Sequence, residues 1–148
     1  MAESDLKKLY AGRILELAAD IPLSKRLDSP QATVKKRSPL CGSTVTVDLS
    51  VQDGRISDFG QDVKACALGQ AAASVLGAVA IGRTLPEIEA ARDQLHAMLK
   101  TGGPVPDAPF DAYSALEPAR DFKNRHASIL LAVEATAEAM VKAQAEAA

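Results

Sequence analysis

Two cysteines and two histidines stand in a chain of 148 residues. Cys41 lies in "SPLCGSTVTVDLSVQDG", one residue before a glycine and at the mouth of an alternating stretch. Cys66 lies in "DVKACALGQAAAS", where a short polar segment gives way to a run of small residues. His126 opens the last apolar stretch in "KNRHASILL", and His96 sits among helix-forming residues in "RDQLHAMLK". Two thiolates and an imidazole are borderline-soft ligands that suit zinc, or iron in a sulfide cluster. Three such ligands leave one coordination position open or filled by another group. Neither CxxC nor HExxH occurs, so spacing alone does not impose a metal centre. Burial of both sulfurs as small apolar groups is the competing reading. A single disulfide is a third use of the pair, but nothing else in the chain points to export.

Cys41, Cys66 and His126 can meet only if the elements around them converge. Val45, Val47, Leu49 and Val51 alternate with Thr44, Thr46, Asp48 and Ser50. That period of two, rich in β-branched residues, predicts a strand with one buried face. Gln52-Asp53-Gly54 supplies turn chemistry, and "RISDFGQDV" returns as the partner strand. A hairpin brings its two ends together, so the Cys41 loop and Cys66 fall at one end of the sheet. From Ala67 to Gly82 the chain is small, apolar and uncharged, which predicts a buried helix. The backbone dipole at its N-terminus favours a thiolate at Cys66. His126, near the start of a last helix, can approach the same end.

The remaining elements supply the frame. Leu6, Leu9, Tyr10, Arg13, Ile14 and Leu17 fall near helical spacing and, being mostly apolar, predict an amphipathic first helix. Pro22 and Pro30 bracket a turn-rich link. "QATVKKRS" reads as a short strand whose Lys35, Lys36 and Arg37 suit a solvated edge, where lysines discourage sheet-to-sheet association. A docking surface for an acidic partner is the other reading of those charges. Thr84 and Glu87 form a capping box with Pro86 in the first turn, and Ile88, Ala91, Leu95, Met98 and Leu99 stripe the helix that follows. "TGGPVPDAPFD" is a loop, and "AYSALEPARDF" holds a short helical turn. A long helix from Asn124 turns Ile129, Leu130, Val133, Ala137, Met140 and Val141 inward, and its alanine-rich tail frays. Strands followed by helices indicate one α+β domain over residues 1–148, a three-stranded antiparallel sheet with helices packed on one face.

Composition excludes several classes. A net charge of −2 leaves no electrostatic footprint for nucleic acid. No apolar run reaches 18 residues, so no membrane span is expected. The acidic, amphipathic "MAESDLKKLY" lacks the layout of a secretory signal, and a cytoplasmic location is expected. With 47% hydrophobic and only 3% aromatic residues, the core must be built from Leu, Val, Ile and Ala.

"SPLCG" before an alternating strand, then "DVKACALGQAAAS", then "RHASILL" on a C-terminal helix resembles the NifU-like, IscU/SufU-type family of iron–sulfur cluster assembly scaffolds. "LYAGRILELAADIP" is similar to that family's first helix and Pro-containing turn. The resemblance implies the α+β fold with a three-stranded sheet. It also implies a scaffold, not an enzyme, that takes sulfur from a cysteine desulfurase and passes a [2Fe–2S] cluster to apoprotein acceptors, at a site that also holds zinc. Cys41, Cys66 and His126 fall on the family's metal-binding positions. Two departures stand out. The family's Cys-Gly-Asp is here Cys41-Gly42-Ser43, and its third cysteine is Ala127. The Leu-Pro-Pro-Val-Lys chaperone-binding segment is reduced to "LEPAR". A fourth group is then sought from Ser43, Asp62, water or a partner chain, although Asp62 also reads as an exposed carboxylate. A degenerate member acting as an interaction module for a desulfurase or another assembly protein is the alternative. A Cys₂His zinc hydrolase would need a general base, and no glutamate or second histidine stands out for that role.

Overall fold

The computed structural model describes residues 12–40 and 42–147. The first-helix positions Leu6, Leu9 and Tyr10 therefore lie outside the described residues, and helix α1 is described as Arg13–Ala19. Three strands follow: β1 (Ala32–Arg37), β2 (Thr44–Gln52) and β3 (Arg55–Lys64). They form an antiparallel sheet in the order β1-β2-β3. Asp53 and Gly54, at φ of 54° and 77°, make the two-residue turn between β2 and β3. Positive φ at both positions matches the twist of the strands it joins. Helix α2 (Ala67–Val79), helix α3 (Leu85–Lys100), a 3₁₀ segment (Asp111–Asp121), a short 3₁₀ turn (Lys123–Arg125) and helix α4 (His126–Ala147) complete the chain.

Val45, Val47 and Leu49 are fully buried because alternation puts them on one face, against which α4 packs across β1 and β2. Leu68, Val75, Leu76, Ile88 and Leu95 are buried in the same core. Helix α2 lies against β3 and α4, α3 against α4, and α1 against α2. The capping box of α3 is present: the Thr84 hydroxyl accepts from the Glu87 N–H, and the Glu87 carboxylate accepts from the Thr84 N–H. Val51 is half-buried and still packs against the core, at the point where the register shifts between Ser50 and Val51.

The other face of the sheet is not the solvated face that alternation predicts. Asp48 is fully buried and Thr46 nearly so, because the link between α1 and β1 folds over them. Asp48 accepts hydrogen bonds from Arg26 Nε (2.6 Å), Arg26 Nη2 (3.2 Å), the Leu27 N–H (3.1 Å) and Thr33 Oγ1 (2.5 Å). Gly60, on the same face, lies so close to the Lys25 carbonyl that a side chain there would collide with it. The link also reaches the helix side: the Gln61 N–H donates to the Leu23 carbonyl (3.0 Å), and Gln61 Nε2 donates to the carbonyls of Ala73 (2.9 Å) and Pro22 (3.3 Å).

Three further expectations are corrected. "AYSALEPARDF" is not a single turn but most of an eleven-residue 3₁₀ segment, anchored by fully buried Tyr113, Leu116 and Ala119. Val141 is 53% exposed. It stands about 100° around the helix from buried Met140, which carries it past the core-facing stripe. The tail does not fray at "KAQAEAA": α4 runs to Ala147, with Ala143 still buried.

Candidate metal centre

Thr44 pairs with Lys64 at the end of the β2–β3 ladder, so residues just before Thr44 and just after Lys64 share one end of the sheet. On the first side, the Ser38 N–H donates to the Ser43 carbonyl (2.8 Å) and the Gly42 N–H donates to the Ser38 carbonyl (3.0 Å). These bonds close the loop that leads into β2. Cys41 itself lies outside the described residues. Leu40 stands 73% exposed, while Ser43 is buried. On the second side, Cys66 is the N-cap residue of α2, with extended backbone. It is half-buried, and its carbonyl accepts the Gln70 N–H (2.9 Å).

Helix α4 reaches this end through Ser128. Its hydroxyl lies 3.4 Å from Cys66 Sγ and donates to Ser43 Oγ at 3.2 Å. Both serines are buried. The contact is possible because residue 69 of α2 is glycine: a Cβ there would stand 2.6 Å from Ser128 Oγ. Three remote stretches of chain thus meet around one sulfur.

His126, two residues before Ser128, is 1% exposed. Its Nε2 lies 3.0 Å from the carbonyls of both Ala119 and Arg120. Carbonyls only accept, so Nε2 carries the proton and donates to them. Nδ1 is then the atom with the lone pair, and it is buried with no partner among the described residues. Burial first, then the nearby Lys100 and Lys123 charges, push the imidazole below its ordinary pKa, against the opposing pull of the two carbonyls. A metal-ligating histidine commonly donates its other ring N–H to a carbonyl, which fixes tautomer and orientation. A neutral, oriented ring with an unused lone pair fits a metal or an iron–sulfur cargo.

The sequence-predicted residues are therefore partly assembled. Cys66, Ser43 and, through Ser128, the first turn of α4 with His126 come to one end of the sheet. Asp62 does not join them. It stands opposite Thr46 in the ladder and so lies on the link-covered face. There it adds to the field that keeps Arg26 charged, after the larger effect of the Arg26–Asp48 hydrogen bond. His96 is exposed on α3. Among the described residues, which exclude Cys41, no three His, Cys, Asp or Glu side chains are placed to hold an ion. Sequence reasoning missed Ser128, Gly69 and the carbonyls of Ala119 and Arg120. A lone hydroxyl in the apolar run after His126, and a glycine inside a helix, were the available signals. The two carbonyls had none.

Comparison with known proteins gives this geometry a context. The family model described as "NifU-like N terminal domain" matches residues 10–129. The iron–sulfur cluster assembly scaffold protein IscU of Thermotoga maritima is 29% identical over 82 residues, covering 55% of this chain. The chain spans only 58% of that relative's length. The crystal structure of a nitrogen-fixing NifU-like protein (N-terminal) from Brucella abortus is 44% identical, covers 95% of this chain and 98% of that one, and superposes with a TM-score of 0.92. A SufU structure from Fervidobacterium islandicum AW-1 covers 89% of this chain and 96% of that one, with a TM-score of 0.79 at 18% identity, a likeness of fold alone. Among the described residues no helix is long and apolar enough to cross a membrane.

Proposed function

The chain belongs to the NifU-like N-terminal domain family, and from that premise we propose that it is an iron–sulfur cluster assembly scaffold. It holds zinc or a nascent [2Fe–2S] cluster on Cys41, Cys66 and His126, takes sulfur from a cysteine desulfurase and passes the cluster to apoproteins in the cytoplasm. It works as one domain over residues 1–148, by holding and handing over a cargo instead of turning over a substrate. The buried Nδ1 of His126, without a partner among the described residues, carries this reading, because its ring is already oriented by two carbonyls. Ala127 has no thiolate to offer, so the cargo sits on three protein ligands and is labile, or is completed by an outside group. Ser43 and Asp62 are the chain's own candidates for a fourth ligand, and Ser43 is the one at the right end of the sheet.

The test is elemental analysis of freshly purified wild-type, Cys41→Ser and His126→Ala protein, followed by anaerobic cluster reconstitution. Stoichiometric metal in the wild type, lost in both variants, is the expected result. Wild-type protein that takes up neither metal nor cluster overturns the scaffold reading. The second reading is a docking module for a desulfurase or another assembly protein. One observation favours it: Ser43, standing where the family has a carboxylate, is buried and hydrogen-bonded to Ser128. A module of this kind binds its partner equally well with Cys66 changed to Ser.

A further inference from the structure

We propose that Ser128 is a positioning residue for the Cys66 sulfur, bridging it to Ser43 and supplying its hydrogen-bond donor when the sulfur holds metal. The inference rests on Cys66 being a ligand, as read above, and names a residue outside that ligand set. Cys66 Sγ, Ser128 Oγ and Ser43 Oγ form a continuous chain at 3.4 and 3.2 Å. Ser128 is 1% exposed, so water does not compete for its hydroxyl. A buried hydroxyl in an apolar helix face costs stability unless it is hydrogen-bonded, and its partners here are the sulfur and Ser43. The neighbouring helix makes room for it with Gly69, where any Cβ would strike the hydroxyl.

The bond to sulfur can run in either direction as the structure stands. A metal-bound sulfur has no proton to give, so in that state Ser128 must be the donor. A serine hydroxyl rotates freely between donor directions, and the same side chain serves both states without moving its oxygen. The bond fixes the direction of the sulfur lone pairs, as hydrogen bonds to ligating atoms do at metal sites.

Two measurements test this. Cys41→Ser protein contains one thiol, so its infrared S–H stretch reports Cys66 alone. Adding Ser128→Ala is expected to move that band to higher wavenumber, because the S–H loses its acceptor. Then wild-type and Ser128→Ala protein are loaded with Co(II). The variant's sulfur-to-cobalt charge-transfer band is expected to shift to lower energy, and its loss of cobalt to a chelator to quicken roughly tenfold. An unmoved S–H band overturns the proposal. A moved S–H band with identical cobalt spectra and release rates overturns the positioning role. A moved S–H band in the single-thiol protein, with wild-type protein that binds no cobalt, overturns the ligand reading of Cys66, and with it any role for Ser128 at a bound metal.

Discussion

At the scale of single residues, two side chains decide most of what the site end and the sheet can do. Ala127 follows His126 directly, at the position on which the resemblance puts the family's third cysteine. Ala127→Cys is expected to raise cluster retention after anaerobic reconstitution, since it restores a soft anionic ligand on the same helical turn. Retention no greater than wild type counts against the scaffold. Asp48 is the second. Burial alone would raise its carboxyl pKa, but hydrogen bonds from Arg26, Thr33 and the Leu27 N–H outweigh this and hold it below its ordinary 3.8. A carboxyl with a depressed folded-state pKa stabilises the protein above its unfolded pKa, and that stability is lost as pH falls through the folded value. The denaturation midpoint should therefore drop below about pH 4, and Asp48→Asn should flatten that acid limb. At neutral pH, Asp48→Ala leaves the Leu27 N–H and Thr33 hydroxyl unsatisfied and should cost about 2–3 kcal/mol. Arg26→Ala should cost less, because Arg26 is 56% exposed, water screens it, and Asp48 keeps its bonds from Thr33 and the Leu27 N–H. Chemical denaturation of the two variants checks the order.

At the scale of elements, α2 and α4 are coupled at one point. Gly69→Ala gains intrinsic helix propensity of about 1 kcal/mol, yet its methyl would meet Ser128 Oγ at 2.6 Å and Ala65 Cβ at 2.8 Å. Overpacking of this kind costs roughly 1–3 kcal/mol, so the net change is expected to be destabilising. Ser128→Ala in the same chain should recover part of the loss, and the double-mutant cycle should show a coupling above about 0.5 kcal/mol. Independent, additive effects would show that the two helices do not share this contact. The hairpin, the capping box and the helix after Cys66 were legible in the sequence because each is written in local chemistry: alternation, Asp-Gly, Thr-x-x-Glu, and a long uncharged run. The 3₁₀ segment was not, since its hold on the core comes from buried Tyr113 and Leu116 and no period of 3.6 announces it. The orientation of His126 was equally hidden. Backbone carbonyls carry no residue identity, so nothing in "LEPAR" marks Ala119 and Arg120 as its acceptors.

At the scale of the whole molecule, the sheet is wrapped on both faces by different means, helices on one and an irregular link on the other. Alternation in β2 predicts only the first, because a polar residue such as Asp48 reads as solvated until its remote partners Arg26 and Thr33 are known. Gly60→Ala tests the link directly. Its methyl must displace the Lys25 carbonyl, so residues 22–28 should lose hydrogen-exchange protection and become open to proteolysis while the helix side stays protected. Uniform loss of protection would mean that link and core unfold as one unit.

The two edges of this sheet are treated unequally. Along β3, the Leu23 carbonyl accepts from Gln61, the Arg83 carbonyl accepts from Ile56, and Gly82 donates to the Ile56 carbonyl, so part of that edge is already occupied. Along β1, among the described residues, Lys142 touches the Thr33 carbonyl at 3.4 Å and Lys36 is paired with Glu138 at 2.6 Å, while Lys35 and Arg37 project exposed. The β3 edge is therefore covered in part by backbone bonds from its own chain, and the β1 edge is guarded mainly by charge. Where the charges of Lys35, Lys36 and Arg37 are neutralised, or screened by salt, chains should begin to associate edge to edge with the fold itself still intact.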